Sequence, residues 1–245
     1  MPPLHIGRDD GAPPTLLCLG AHADDIEIGA GGTILDLVEH HPGMRVHWVV
    51  LSATAERAAE ARRSAGEFLA GAQPCVEVHD LRDGLFPADY ARLKAIVEDL
   101  KAVEPDIILT HYRQDAHQDH RTVAEATYST FRRPLILEYE IPKYDLDLGN
   151  PTLFVPLSQR QAQAKVGALM THFASQQARR WFTPETFYAL MRLRGLHAAA
   201  PSGFAEAFYG ARVSLSFGSA RPSEVVAPAP SEFAEFAGGA SWGRR

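Results

Sequence analysis

The sequence predicts an α/β fold, a three-layer αβα sandwich around a mostly parallel sheet. Short apolar runs alternate with longer helix-like stretches from about residue 15 to residue 140. Several of those runs ("LLCL", "DIIL") are continuously apolar, as strands buried on both faces are. The chain has 245 residues, 46% hydrophobic and 22% charged, enough for one sizeable core without disulfide staples.

Residues 1–14, rich in Pro, Gly and Asp, read as a flexible arm. "TLLCLGA" (15–21) is the first strand, and "IGAGGTILDLVEHH" (28–41) is a helix with a glycine-rich start. "MRVHWVVLSA" gives a second strand, "AERAAEARRSAGEFLAGA" a helix ending near Gly71, and "CVEVHDL" a short third strand. In "ADYARLKAIVEDLKAVEP" the residues Leu93, Ile96, Val97, Leu100 and Val103 recur at helical spacing, and Pro105 stops the helix. "DIILTH" is a fourth strand, "DHRTVAEATYSTFRR" a helix and "PLILEYEI" a fifth strand. Beyond residue 150 the alternation is less regular, with a strand at "PTLFVPL", helices at "SQRQAQAKVGALMTHFASQ" and "TPETFYALMRLRG", and a late strand at "ARVSLSFG" (211–218). A single domain over 15–218 is expected, with a flexible tail at 219–245 whose Phe233, Phe236 and Trp242 are candidates for docking on a neighbouring subunit.

A net charge of −6 argues against nucleic acid as the main partner. Cys18 sits in an apolar run and Cys75 stands apart, so neither belongs to a CxxC pair, and a reducing cytoplasm is the expected location. "MPPLHIGRDDGAPP" has no basic n-region and no apolar h-region, so a signal peptide is not expected, and no apolar stretch has the length of a membrane span.

Ligands of parallel sheets sit beyond the carboxyl ends of the strands. Two loops predicted there carry chemistry: "AHADD" after the first strand and "HQDH" (117–120) shortly after the fourth. His22 and Asp25 are three apart, as are His117 and His120, so a turn or helix start can aim each pair the same way. Three protein ligands and an open position make a catalytic zinc site. The candidates are His22, Asp25 and one or both histidines of the second loop, which leaves Asp24 free to take a proton from a metal-activated water. Either loop alone is weak, because acidic helix starts are favoured by the helix dipole anyway. Both together are hard to explain without a metal. The glycines "GAGG" (29–32) do not form a dinucleotide fingerprint and are better read as close helix–strand packing.

At these residues the sequence resembles the LmbE-like, or PIG-L-type, zinc-dependent N-deacetylases. The motifs are "AHADDIEIGAGG" and "PDIILTHYRQDAHQDH", with weaker echoes at Arg57 and Glu60, Asp83-Gly84, Ser175-Gln176 and Glu206. One departure is Ala23, where the family usually has a proline that would fix φ. The resemblance implies a Rossmann-like fold and one Zn2+ per chain, replaceable by other divalent first-row metals, held by His22, Asp25 and His120. It implies Asp24 as general base, and His117 as the cation that steadies the oxyanion and protonates the leaving amine. Asp119 would orient a histidine, and Arg57 would sit near the acyl or sugar end of the substrate. The implied reaction removes an N-acetyl group from an amino sugar or glycoside, giving a free amine and acetate, and the resemblance points to a homo-oligomer. A zinc amidase on a non-sugar compound is the second reading, and a non-catalytic metal-containing binding protein the third. Asp24 beside the ligands speaks against the third.

His111 at a strand end is either pocket lining or a structural hydrogen-bond partner. His47 and His79 lie on predicted strands and read as structural, whereas His172 has a route to the site from a late helix. Phe131, Phe154, Phe173 and Trp181 read first as core, with pocket walls as the alternative. The segment 139–156 is the expected specificity loop.

Overall fold

The computed structural model describes residues 8, 10–210, 212 and 213. Seven strands and six α-helices are present among them, in the order β1 (Leu16–Gly20), α1 (Asp25–His40), β2 (Arg45–Val50), α2 (Ala55–Phe68), β3 (Gln73–Val78), α3 (Tyr90–Asp99), β4 (Ile107–His111), α4 (Gln118–Thr130), β5 (Leu135–Tyr139), β6 (Leu153–Leu157), α5 (Gln159–His172), α6 (Pro184–Ala198) and β7 (Phe204–Gly210). One sheet runs β3-β2-β1-β4-β5-β7-β6. The first five strands pair in parallel, and β7 lies antiparallel to both β5 and β6.

Alternate residues of each central strand feed two cores. Leu16 and Cys18 pack with α1, α2, α5 and α6 on one face, while Leu17 and Leu19 pack with α3 and α4 on the other. The three-layer sandwich is therefore as expected. Chain order reverses on either side of β1, between β2 and β4, and at such a switch point the loops leaving the strands diverge to open a crevice.

Two expectations need correction. Helix α1 begins at Asp25, three residues ahead of the predicted start at Ile28, because the acidic turn is itself the helix N-terminus, with Asp24 at the cap. A further strand, Phe204–Gly210, is present, and the strand expected at 211–218 lies, apart from Arg212 and Val213, outside the described residues. The middle residues of Phe204–Gly210 are buried on both faces, so the strand shows no alternation. His172 bonds Glu67 (2.6 Å) and does not reach the cleft. The tail 219–245 with Phe233, Phe236 and Trp242 is outside the described residues, as are residues 1–7 and 9 of the arm.

The glycines of α1 pack as expected. A Cβ on Gly29 would lie 2.1 Å from the ring of Tyr139, and one on Gly32 2.4 Å from Leu157. Beside them a buried ion pair, Lys165 with Glu206 (2.6 Å), enters the helix. Glu206 accepts the N–H groups of Gly32 (2.8 Å) and Thr33 (2.7 Å), and Lys165 donates to the carbonyl of Ile28 (2.6 Å).

Candidate metal centre and active site

The two loops expected to carry chemistry meet beyond the carboxyl ends of β1 and β4. His22 Nδ1, Asp25 Oδ2 and His120 Nε2 converge, with separations of 3.4 Å from His22 to Asp25, 3.6 Å from His120 to Asp25 and 3.4 Å between the two imidazoles. A tetrahedral zinc with bonds of about 2.0–2.1 Å sets its ligand atoms about 3.3–3.4 Å apart. Two nitrogens and one carboxylate oxygen at this spacing fit a divalent first-row cation, with a fourth position open towards the cleft.

The far nitrogens fix which lone pairs point inward. His120 Nδ1 is 2.9 Å from Asp115 Oδ2, so the proton sits there and Nε2 is left as a donor atom. His22 Nε2 lies 3.3 Å from Asp119 Oδ2 and 3.0 Å from Asp83 Oδ1, which leaves Nδ1 for a metal. A second grouping of His22, Asp83, His117 and Asp119 shares that histidine. Asp119 is ill placed as a ligand in it, since the N–H groups of Gly84 (2.6 Å) and Phe86 (3.0 Å) already hold both of its oxygens.

Local sequence explains the geometry. Asp25, the first residue of α1, accepts the N–H of His22 (2.7 Å) through Oδ2, folding the turn back on itself. His117 caps α4, its Nδ1 accepting the N–H of Asp119 (3.2 Å), so one turn places His117 and His120 side by side. Asp115 accepts from the N–H of His117 (2.7 Å) and is 3.0 Å from Lys143 Nζ. Burial alone would push the Asp115 carboxyl up, yet His120 and Lys143 hold it well below the usual range. The same opposition acts at Asp25, which His120 and His111 keep ionised against burial. Burial and His111 press His120 down to about 4. His22 goes the other way: Asp119, Asp25 and Asp83 outweigh burial and favour its cation. A proton on His22 and a metal at its Nδ1 are alternatives.

Asp24 is buried next to this group and stays off it. Arg57 Nη2 donates to Asp24 Oδ1 (2.7 Å). Burial, and then Asp25, raise the Asp24 pKa, with Arg57 opposing. Arg57 also reaches Ser175 (3.4 Å), which Glu60 holds in place (2.6 Å). Burial, then His22, lowers the pKa of His117, which leaves it neutral in the free protein at neutral pH. His111 proves structural: the N–H of Ala21 donates to its Nε2 (2.9 Å), and its ring stacks on His120 at 3.9 Å.

A cleft of about 290 Å³ opens over these groups, lined further by Lys143, Tyr144, Asp145, Gln176, Arg179 and Trp181. The 139–156 segment thus contributes to the wall, as does Trp181. Phe131 and Phe173 lie in the core instead. Asp115 and Lys143 were missed in the sequence. The acid five residues ahead of His120 was the signal for the first, and none marked the second.

Residues 17–131 match the family model described as PIG-L: GlcNAc-PI de-N-acetylase, so this segment is similar to that family. The Escherichia coli (strain K12) protein described as uncharacterized deacetylase YaiS is 28% identical over 170 residues, covering 64% of this chain and 89% of that protein. Among solved structures, the N,N'-diacetylchitobiose deacetylase from Pyrococcus horikoshii is similar (TM-score 0.63, 19% identity, 81% of this chain and 84% of that one). So is GalB, the 4-carboxy-2-hydroxymuconate hydratase from Pseudomonas putida KT2440 (TM-score 0.67, 20% identity, 84% of this chain and 100% of that one). One fold thus carries a deacetylase in one protein and a hydratase in another, and function has to be argued from the site. No helix among the described residues is long and apolar enough to cross a membrane.

Proposed function

We propose that this protein is a zinc-dependent N-deacetylase that removes the acetyl group from an amino sugar or glycoside, releasing acetate and a free amine. The observation that carries the reading is the convergence of His22 Nδ1, Asp25 Oδ2 and His120 Nε2 at zinc-ligand spacing, with Asp24 alongside but outside the group. Zinc held there supplies an acidified water and a Lewis acid for the amide carbonyl.

The protein groups do the proton work. Asp24 presents Oδ2, the oxygen not held by Arg57, and takes the proton of the attacking water there. Its raised pKa makes it a better base than a surface aspartate. His117 accepts the N–H of Asp119 at Nδ1, so any proton it carries sits on Nε2. From that atom it donates a hydrogen bond to the developing oxyanion, while the proton that Asp24 took from the water passes to the departing nitrogen. Arg57 fixes the carboxylate of Asp24, and Asp119 fixes the ring of His22. Tyr144 and Trp181 on the cleft wall offer ring faces for a sugar, which favours a glycoside over a small aliphatic amide.

The test is amine release by the zinc-loaded protein from a panel of N-acetyl amino sugars, glycosides and simple acetamides. Release from the sugars, lost on chelation and restored by zinc, is expected. Release from simple acetamides alone would overturn the substrate class, and no release from any of them at full zinc occupancy would overturn the activity.

A further inference from the structure

We propose a second, thiolate-containing metal site on the outer edge of the sheet, formed by His47, Cys75, Glu77 and His79 and selective for a thiophilic divalent cation such as zinc. β3 is the edge strand, its Cys75 and Glu77 share one face of the sheet, and His79 follows directly after the strand's end. His47 on β2 is the register partner of Cys75, so it joins the same face. One ligand atom each from His47, Cys75 and Glu77 lie within 4.8 Å of one another. Cys75 Sγ is 3.9 Å from Glu77 Oε1, and His79 Nε2 is 3.5 Å from Glu77 Oε2.

An orphaned atom points to a ligand. His47 Nδ1 is buried and has no hydrogen-bond partner. His79 Nε2, buried as well, lies 3.5 Å from the Glu77 carboxylate. An unpaired imidazole nitrogen beside a thiol and a carboxylate calls for a bound group. Cysteine, glutamate and two histidines make a complete tetrahedral set, and a thiolate with a carboxylate neutralises a divalent charge. Bonds of about 2.0–2.3 Å require ligand atoms about 3.3–3.7 Å apart, so side-chain rotations of about an ångström draw in the His47, Cys75 and Glu77 atoms, and a larger one brings His79 in to complete the set. Cys75 is exposed, which gives the ion a way in. From His79 the chain continues into the loop carrying Asp83, so the ion would tie down the start of a segment that contacts His22.

The full chain loaded with cobalt(II) tests this. A thiolate–cobalt charge-transfer band in the near ultraviolet can come only from Cys75 among the described residues, because Cys18 is buried in the core and the main site has no sulfur. The band is expected in the parent protein and in Asp25→Asn, lost in Cys75→Ser and weakened in His79→Ala. Zinc capacity is expected to fall by one ion per chain in Cys75→Ser. Absence of the band at cobalt excess, or its survival in Cys75→Ser, would overturn the site.

Discussion

At His22 the two ring nitrogens have separate tasks. Nε2 is held by Asp119 and Asp83, and Nδ1 faces Asp25 and His120. Removing the holder frees the ring without removing a ligand. Asp119→Ala is therefore expected to weaken zinc binding by roughly 10–100-fold, read by competition with a chromophoric chelator, because partners behind the ligands matter on that scale. Unchanged affinity would mean that Asp119 serves only the Gly84 and Phe86 N–H groups. Glu27 in the first turn of α1 makes a different prediction. Burial raises its pKa from 4.5 to about 8, so the folded state keeps a proton that the unfolded chain releases. Stability from this group is full below about pH 4.5 and falls as the pH rises through about 8. Glu27→Gln should flatten the unfolding free energy over that range, and an unchanged slope would contradict the assignment. That His22, Asp25 and His120 come together with Asp24 alongside was legible in the sequence, since two short motifs fell at two predicted strand ends. Asp115 and Lys143 were not, because their effect depends on loops brought together by the fold.

At the scale of elements, α1 is the most constrained helix. Its glycines let it lie against Tyr139 and Leu157, and the Lys165–Glu206 pair, from α5 and β7, reaches into its backbone. Breaking that buried pair leaves a charge without a partner. Lys165→Met is expected to cost about 3–5 kcal/mol in denaturant unfolding. A cost below about 1 kcal/mol would show that the pair is as weak as a surface salt bridge. The glycine-rich start of α1 could be read from sequence; β7 could not. "FAEAFYG" is short, buried on both faces and interrupted by Glu206, whose charge is tolerated only because Lys165 and two helix N–H groups meet it.

Over the whole molecule, the fold holds the site open before any ion arrives. Backbone N–H groups fix Asp25, Asp115 and Asp119, and all three carboxylates lie at the switch point of the sheet. Chelation should therefore leave the secondary structure intact. Free zinc at 100 times its Kd should raise the unfolding free energy by about 2.7 kcal/mol per site. Collapse of the circular dichroism spectrum on chelation would instead make the metal part of the fold.

The division of labour between neighbouring aspartates is the centre of the account, and Asp24→Asn tests it most directly. Acetate release and main-site zinc are measured together on the same preparation, in the Cys75→Ser background. The account predicts zinc retained and turnover reduced by about 10²–10⁴-fold, the usual worth of a general base. Near-parental turnover, or loss of the zinc with the carboxylate, would contradict it.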